Sequence, residues 1–425
     1  MTDYLPLGND TGLLMLAAQQ GAVAEIAKLV LLKEKELGAN VTYISDWGEV
    51  STLVKEGLVG DVFPTGTTLH DTWTDTRTGQ STQHDYKWRC VDEKAVKVRG
   101  ITDPVNALWL HSRYTLPFAT QFDEIEAFYA APAGGLAAGT YSVTINPSSS
   151  AWGQTAANTV INFTLGTALE EGGQLAFSGS IYSTAPTSLK VKSFASPTAT
   201  SATETLDVSS GSAGTSLGTI SASAIQSADT LNHMHRVGLG NNNYAQSALR
   251  QFLNSTATAG NWWTPQNKWD RPPAYAATTD GFLSGFSADF IDHLAYVEIK
   301  TALPYCDGGT SGGTECTTLY DRVFLPSMEQ LYLRCTDYGV PYGLEGTAWE
   351  YWKEAYGGAT PAPMGQTFPI FAMGQLGDET TMRSVFERSA YRINGGSVAS
   401  CSASGALGSY GAGTGTYCAP ACCIV

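Results

Sequence analysis

The apolar positions near the start of the chain follow helical spacing. Between about Thr11 and Leu37, apolar side chains recur three or four residues apart, at Val23, Ile26, Val30 and Leu37. This spacing predicts a helix. It would serve either as a short coiled coil that joins subunits or as an amphipathic helix packed on a core.

The pattern then changes from helical spacing to alternation. A second short helix is predicted over Trp47–Glu56, and a β-rich region is predicted to begin at Gly60. Within it, Tyr86–Val91 and Asn106–Tyr114 alternate between apolar and polar residues. Successive side chains of a strand point to opposite faces, so this alternation predicts two strands.

Pro132 marks a boundary, after which short Thr- and Ser-rich segments alternate with turns up to about Ile220. Regular strand spacing without helices predicts a small β-sandwich or barrel that interrupts the surrounding domain. The predicted strands are Thr140–Ile145, Val160–Leu165, Gln174–Phe177, Leu189–Phe194 and Glu204–Val208.

From Asp229 onward helices and strands mix again, so the whole chain is predicted to be an α+β protein. One helical face of the first predicted helix carries Ala245, Leu249, Phe252 and Leu253. The predicted elements are helices over Asn243–Asn254, Ser287–His293 and Phe324–Leu333, the last with Ser327 as its cap, and a strand over Ala295–Thr301. The aromatic run from Trp349 to Trp352 is expected to be buried.

Composition favours a loop-rich, β-rich protein over a helical cytosolic enzyme. The chain has 425 residues, of which 15% are charged and 11% aromatic, with 45 glycines, and its length suggests two or three domains. The net charge of -15 argues against nucleic acid as a partner, because phosphate binding needs a basic surface. We expect no signal peptide and no membrane span, because the start lacks a basic leader and no run of about 20 apolar residues occurs.

Candidate metal and redox chemistry is sparse. The 8 cysteines are expected to be mostly buried thiols, as in a protein assembled in a cytoplasm, with a Cys306–Cys316 bridge as the alternative. His233 and His235 would share one face of a strand, but no third ligand is near in the sequence. We therefore expect no metal and no other cofactor.

No motif for catalysis is present, so an enzyme is not expected. His111 lies on an apolar strand and is predicted to be a hydrogen-bonded core histidine. Asp321 and Arg322 are predicted to form a structural ion pair with Glu329. Three tryptophans in residues 261–272 are expected to be core beneath a long loop, with a sticky surface as the alternative.

The final segment, Arg388–Val425, combines a permissive composition with ordered ends. It is rich in Gly, Ser and Ala, yet it opens on Arg-Ser-Ala-Tyr-Arg and closes on Cys-Ala-Pro-Ala-Cys-Cys-Ile-Val, an apolar ending that a solvated tail does not need. It also lacks Lys, Glu, Gln, Met and Trp, which are the amino acids that an AAC asparagine codon cannot encode after changes at its adenines alone. The alternative explanation for this absence is the Gly/Ser/Ala-rich composition itself.

The order of several segments resembles the C-type-lectin fold, in particular the branch shared with formylglycine-generating enzymes. Trp88-Arg89 is followed by LWLHSRY, SALRQFLN and then Phe324–Leu331. In this last run Leu-Pro-Ser matches the family pattern R-L-P-(S/T)-x-x-E-W, whereas Phe324, Gln330 and Leu331 depart from it. The closing RSAYR…CAPACCIV resembles the variable region of diversity-generating retroelement target proteins, many of them encoded by phages and prophages. The resemblance covers roughly residues 60–130 and 229–425.

The resemblance implies a binding surface that mutates while the fold persists. In such proteins a retroelement copies a template RNA with errors at adenines, and the altered side chains lie on a solvent-facing surface of a rigid scaffold, where they contact the ligand. The implied framework positions are Arg388, Ala390, Arg392, Val398, Cys418 and Pro420. The implied variable, ligand-binding positions are Tyr391, Ile393, Asn394, Gly395, Ser397, Ala399, Ser400, Ser402, Ser404, Leu407, Ser409, Tyr410 and Thr414. Formylglycine-generating activity is not implied, because the cysteine and metal site of that family has no matching pair here.

The resemblance and the composition together predict a domain organisation. Residues 1–59 would be a helical attachment or oligomerisation segment, 60–131 the first part of a C-type-lectin-like domain, and 132–222 an inserted β-sandwich-like domain. Residues 223–425 would complete the lectin-like domain, with the variable region at about 388–420.

The function expected from these features is host attachment. The protein would be a receptor-binding display protein on the tail or capsid surface of a phage or prophage virion, assembled in the bacterial cytoplasm. Its partners would be a host cell-surface receptor, protein or glycan, other virion proteins and further copies of itself, with a trimer implied by the family. The alternatives are a head or tail-fibre structural protein whose tail does not vary and an enzyme of the lectin-like fold.

Overall fold

The computed structural model describes residues 42–124 and 241–425, apart from residues 267–269, 305–306 and 393–395. Elsewhere it describes parts of a helix between residues 21 and 29 and short strands and isolated residues between 129 and 235. Most of the predicted insertion over 132–222, and most of the predicted helix over 11–37, therefore lie outside the described residues.

Sheets dominate the described residues and the helices are few and short, which confirms a mixed α+β protein. The helices are α1 (Trp47–Lys55), α2 (Val59–Val62), α3 (Ala248–Leu253), α4 (Ala288–His293) and α5 (Glu350–Tyr356), with 3-10 turns at Ala274–Ala277, Phe282–Gly285, Cys335–Tyr338 and Pro369–Phe371. The strands before residue 125 and after residue 240 are β1 (Thr68–Thr74), β2 (Gln83–Asp92), β3 (Leu108–Ser112), β4 (Val297–Ala302), β5 (Cys316–Asp321), β6 (Val323–Phe324), β7 (Met373–Gln375), β8 (Asp378–Arg383), β9 (Val385–Ala390), β10 (Ser397–Cys401), β11 (Leu407–Gly411), β12 (Tyr417–Cys418) and β13 (Ala421–Ile424).

The predicted helix over Trp47–Glu56 is confirmed as α1. The Asp46 side chain caps it by accepting a hydrogen bond from the Gly48 N–H at 2.8 Å. Helix α2 follows, so the β-rich region predicted to begin at Gly60 begins instead at β1. In the N-terminal helix, Val23 and Ile26 are helical as predicted, and both side chains are exposed.

The last strand of the chain lies inside the main sheet. The strand order is β1-β2-β3-β13-β6, and β13 pairs antiparallel with both of its neighbours. Strands β2 and β3 confirm the two strands predicted from alternation near residues 86 and 106. All four residues of Ala421–Ile424 are buried. The apolar ending therefore packs as a central strand, because a strand covered on both faces needs an apolar residue at every position.

Aromatic side chains form the core on one face of this sheet. The rings of Tyr86 and Trp88 on β2 lie 4.8 Å apart between centroids, and those of Phe286 and Phe290 lie 4.7 Å apart. Tyr86 meets Phe286 edge to face at 5.2 Å. Ser287 caps α4 by accepting from the Phe290 N–H at 3.2 Å, which confirms the predicted helix there. Packing of this kind places large apolar rings at favourable offset and edge-to-face geometries.

A four-stranded sheet carries most of the C-terminal segment. Its order is β11-β10-β9-β12, with β12 parallel to β9 and the other pairs antiparallel. Two further hairpins, β4-β5 and β7-β8, pair antiparallel. The chain passes from β12 directly into β13, so the segment ends in the main sheet.

The helix predicted over Phe324–Leu333 is wrong. Phe324 ends strand β6, and residues 328–332 form turns. Ser327 does cap this turn, because its hydroxyl accepts from the Gln330 N–H at 3.2 Å. The turn stops at Tyr332, whose φ of 58° lies in the left-handed region, which is incompatible with a continuing right-handed helix.

Tertiary packing also changes the predicted ion pair. Asp321 pairs with Arg250 at 2.7 Å, and Glu329 instead accepts from the Gly343 N–H at 2.8 Å. The helix predicted over Asn243–Asn254 forms only as α3, with Ser247 as its cap.

Several predictions of burial are confirmed. His111 is buried, and its Nε2 lies 3.2 Å from the Ala419 carbonyl oxygen. Trp349 and Trp352 are buried. Of the three tryptophans predicted to be core in residues 261–272, Trp262 is buried, Trp263 is half-buried, and Trp269 lies outside the described residues. Among the described cysteines none is bridged, and all except the half-buried Cys316 are buried, as expected for thiols.

Short strands between residues 129 and 235 agree with several predictions for the insertion. Gly139–Ile145 pairs antiparallel with Thr159–Leu165. The remaining strands are Tyr129–Ala130, Gln174–Phe177, Lys190–Val191, Thr203–Glu204, Leu206–Asp207, Ile225–Gln226 and Met234–His235. Within the part of the chain that the structure describes, no helix combines the length and the apolar character needed to cross a membrane.

Candidate ligand-binding surface

Two buried arginines fix the start of the C-terminal segment. Arg388 on β9 is completely buried, and its guanidinium donates to the carbonyl oxygens of Lys300 at 3.0 Å, Leu325 at 2.8 Å and Glu345 at 2.5 Å. It also donates to Oε1 of Gln330 at 2.5 Å. A buried charge is tolerated where hydrogen bonds replace its hydration. Arg388 therefore ties β9 to three neighbouring segments.

Arg392 makes a second set of bonds of the same kind. Its guanidinium donates to the carbonyl oxygens of Leu303 and Thr310, each at 3.0 Å, and also contacts the carbonyls of Gly313 and Glu315. Arg392 is completely buried as well. The chain between the two arginines is therefore held at both ends.

The buried carboxylate of Glu345 supports this arrangement. Its Oε1 accepts from the Ala302 N–H at 2.8 Å, and its Oε2 accepts from the hydroxyl of Ser389. The Ser389 hydroxyl in turn accepts from the Met328 N–H at 3.1 Å. This network joins β9 to β4 and to the turn that follows β6.

The implied framework positions are buried as expected. Arg388, Ala390, Arg392, Val398, Cys418 and Pro420 all lie in the interior. At the far end of the segment, β12 and β13 return the chain to the core. The segment therefore begins and ends on buried anchors.

A tight turn separates β10 from β11. The Ser402 hydroxyl accepts from the Ala406 N–H at 3.0 Å, and the Gly405 N–H donates to the Ser402 carbonyl at 2.8 Å. Gly405 has a φ of 78°, and a Cβ there would lie 2.0 Å from the carbonyl oxygen of Phe368. The turn is therefore held by glycine geometry and by Ser402, while Ser404 at its tip is exposed.

The implied variable positions divide by exposure. Ser404, Tyr410 and Thr414 are exposed, and Tyr391, Ser402 and Ser409 are half-buried. Ser397, Ala399, Ser400 and Leu407 are buried under the neighbouring strands, so in this fold they do not reach a ligand from solvent. Ile393, Asn394 and Gly395 lie outside the described residues.

Tyr410 is the largest exposed side chain among these positions, with 37% of it accessible. It lies on the edge strand β11, and its hydroxyl is 3.3 Å from the hydroxyl of Ser384. Tyr391 packs its ring on Tyr338 at 4.9 Å between centroids. The exposed positions thus lie along β11 and its adjoining turns, with small polar groups around one tyrosine.

Sequence reasoning missed Tyr417 and Arg383. Tyr417 is half-buried on β12, and the Arg383 guanidinium lies 4.8 Å from its ring centroid. The sequence signal that could have identified Tyr417 is strand alternation: Cys418 is buried, so the preceding residue of the strand faces the opposite side. A cation over an aromatic face adds modest attraction.

Beneath the surface, the acidic side chain of Glu387 on β9 is buried. Burial raises its pKa well above the usual range, and burial also raises the pKa of the neighbouring Cys401 thiol. Both groups are shielded from solvent, so neither can contact a ligand there. Among the described residues, no cluster of His, Cys, Asp and Glu could hold a metal ion. The side chains of His233 and His235 lie outside the described residues.

The fold and this surface define a sheet-rich α+β protein with a C-terminal segment anchored at both ends. A family model described as "Domain of unknown function (DUF6273)" matches residues 220–425. No curated protein and no solved structure matches the chain.

Proposed function

We propose that the protein is a ligand-binding display protein of a phage or prophage, built on a C-type-lectin-like fold. Its C-terminal surface would be diversified by a retroelement and used for attachment to the host. The observation that carries the proposal is the contrast within the C-terminal segment. Arg388, Arg392 and β13 are buried at its ends, whereas Ser404, Tyr410 and Thr414 are exposed between them.

This contrast is what a mutable binding surface requires. An exposed side chain away from caps and special backbone can change with little effect on stability, usually within about 0.5 kcal/mol. Binding residues are commonly carried by loops that a rigid scaffold positions. The backbone bonds of Arg388 and Arg392 do not depend on side chains in residues 402–414, so the frame would persist when those side chains change.

The amino-acid alphabet of the segment supports the same function. Every residue from Arg388 onward is one that adenine-specific changes to an AAC codon can produce. Tyrosine with small polar neighbours is also the composition of adaptable antibody loops. Tyr410 would then be the main contact, and Ser404, Ser409 and Thr414 would adapt to the ligand.

Further copies of the chain would strengthen weak single-site binding. Val23 and Ile26 expose 58% and 60% of their side chains on the N-terminal helix, which suits a coiled coil between subunits. Joined subunits raise the effective concentration of each site near a surface that carries many receptors. We propose a homotrimer on the virion, with other virion proteins as attachment partners.

A virion structural protein with a constant tail is the second candidate. It is favoured by the burial of Ser397, Ala399, Ser400 and Leu407, since substitutions at these positions would disturb packing. The two candidates differ in the surrounding DNA. A near-identical repeat of the 3′ coding region beside a reverse-transcriptase gene, differing only at template adenines, is expected for the first. A neighbourhood without such a repeat would contradict it.

Binding provides the direct test. Purified protein is expected to adhere to cells of a susceptible bacterium, and Tyr410→Ser with Thr414→Ala to weaken adhesion about tenfold or more, because Tyr is a frequent hot-spot residue. The matched control is Tyr342→Ser, which removes another exposed tyrosine outside the segment. Equal adhesion by both variants would contradict a ligand surface on β11.

A further inference from the structure

A cleft of about 330 Å³ is lined by residues outside the C-terminal segment. Its walls come from β2, from the residues after β3, from α5 and from the β7-β8 hairpin. The residues that matter for its chemistry are Arg89, Arg113, Trp352, Ile370, Met373 and Met382. The volume is at the lower end of the range for small-molecule pockets.

Arg89 stands in this cleft without an anionic partner. Its guanidinium carbon lies 4.4 Å from the ring centroid of Tyr351 and 5.7 Å from that of Trp352. Within the described ranges the guanidinium makes no ion pair and no hydrogen bond, unlike those of Arg388 and Arg392. Burial, together with the nearby Arg113, lowers its pKa. The cleft therefore contains a partly desolvated cation whose donors are free.

The charge around Arg89 is positive on a chain that is acidic overall. Arg113 is exposed at the cleft; its Nη1 lies 3.4 Å from the Thr68 hydroxyl, and its guanidinium carbon lies 5.6 Å from the ring centroid of Tyr114. The acidic lining residue Glu379 is already paired with Lys87 at 2.8 Å. The charge of Arg113 also helps to lower the pKa of Glu379, although among the described residues neither Arg113 nor Arg89 forms a direct ion pair with a carboxylate. On a chain with a net charge of -15, these two arginines create a local positive potential that favours an anion.

The remaining walls are apolar. Trp352, Ile370, Met373 and Met382 offer ring and thioether surface beside the two guanidinium groups. Methionine side chains adapt to irregular apolar ligands. A planar guanidinium binds a carboxylate or a phosphate through two parallel hydrogen bonds, but only a ligand with an apolar body would also contact the apolar walls.

We propose that this cleft binds a small organic carboxylate, with Arg89 and Arg113 holding the carboxylate and Trp352, Ile370 and the two methionines covering its apolar body. The site consists of residues outside Arg388–Val425. It is therefore separate from the proposed display surface, and it would stay constant while that surface varies.

The test compares benzoate with its neutral isostere benzamide on the full-length protein, by ligand-observed NMR titration and thermal shift. Benzoate is expected to bind with a Kd of about 1 mM or tighter and to raise the melting temperature, and benzamide to bind about tenfold more weakly or not at all. Inorganic phosphate serves as the probe for an anion without an apolar body and is expected to bind more weakly than benzoate.

Two variants connect the result to the cleft. Arg89→Met keeps the packing on Tyr351 and removes the charge, and Arg113→Met removes an exposed charge without burying a new group. Each is expected to weaken benzoate binding about tenfold, since a charge-assisted bidentate contact is lost. Lys97→Met removes an exposed cation elsewhere and should leave the Kd unchanged.

Three results would overturn the proposal. One is equal affinity for benzoate and benzamide. Another is phosphate binding without benzoate binding at about 20 mM, which lies beyond the expected Kd. The third is benzoate affinity in Arg89→Met and Arg113→Met equal to that of Lys97→Met. Should Arg89→Met fail to fold, Arg113→Met decides the outcome alone.

Discussion

Arg388 places its Nη1 2.8 Å from the carbonyl oxygen of Leu325, and this bond joins the first strand of the C-terminal segment to the chain just after β6. Because β6 pairs with β13, the start of the segment is connected through the same short stretch to its end. The buried start and the buried end of the C-terminal segment are therefore connected to each other through β6 and Leu325.

Replacing Arg388 by Met should destabilise the protein strongly. The substitution leaves the buried carbonyls of Lys300, Leu325 and Glu345 without their donor, and each unsatisfied group costs about 1–3 kcal/mol. We expect a loss of at least about 3 kcal/mol in the free energy of unfolding, measured by urea denaturation. Arg388→Lys should recover only part of it, because an ammonium cannot reach all three carbonyls. A loss below about 1 kcal/mol would contradict the structural role.

The same substitution at two serines should separate the exposed from the buried part of the segment. Ser404→Tyr adds a ring at an exposed turn and is expected to change stability by about 0.5 kcal/mol or less. Ser400→Tyr forces that ring into a fully buried site on β10 and is expected to cost about 3 kcal/mol or more, because overpacking displaces neighbours. Melting temperatures of both variants check this. Equal losses would show that Ser404 is not free to vary.

Gly405→Ala should disrupt the turn between β10 and β11. The new methyl group would meet the Phe368 carbonyl oxygen, in addition to the cost of a φ of 78°. Gly365 has nearly the same φ of 77° with no atom near its Cβ position, so Gly365→Ala measures the backbone cost alone, about 1 kcal/mol. We expect Gly405→Ala to exceed this control by about 2 kcal/mol in thermal or urea unfolding. Similar losses of stability for the two variants would contradict the predicted clash, because they would show that the turn can shift away from the Phe368 carbonyl oxygen.

Asp71 should make stability fall as the solution is brought from acid towards neutral pH. Burial raises its pKa from 3.8 to about 6. A carboxyl with a raised folded-state pKa contributes stability that is fully present below pH 3.8 and is lost as the pH rises through about 6. Relative to the wild type, Asp71→Asn should therefore gain roughly 1–3 kcal/mol between about pH 3.5 and pH 7.

The matched control for this pH dependence is Asp103→Asn, which removes a carboxylate from an exposed position. Unfolding by urea at several pH values measures both variants against the wild type. A difference between Asp71→Asn and the wild type that does not change with pH would contradict the assigned shift.

The buried thiols should be unreactive in the folded protein. Burial raises the pKa of Cys335 and of Cys418 to about 12, so almost no thiolate is present at neutral pH. Treatment with iodoacetamide followed by mass spectrometry should label the half-buried Cys316 first. Labelling of Cys335 and Cys418 is expected only in denaturant, and native-state labelling at the rate of Cys316 would contradict their burial.

The sequence alone predicted those helices and strands that depend on residues close to one another in the chain. Helix α1, helix α4 and strands β2 and β3 follow from spacing and capping residues, because periodicity and caps act within a few residues. The burial of Trp349, Trp352 and the terminal cysteines follows from their apolar character for the same reason.

Only the tertiary structure decided which residues meet. The turn after Ser327 stops at Tyr332, Asp321 pairs with Arg250, and Glu329 accepts from the Gly343 N–H. These outcomes depend on segments distant in the chain. Within Arg388–Val425 the sequence determined a permissive composition between ordered ends. The strand pairing then decided which of these residues are buried, such as Ala399 and Ser400, and which are exposed, such as Ser404 and Tyr410. Small residues are compatible with either environment, so their exposure is set by the strands and loops that cover them.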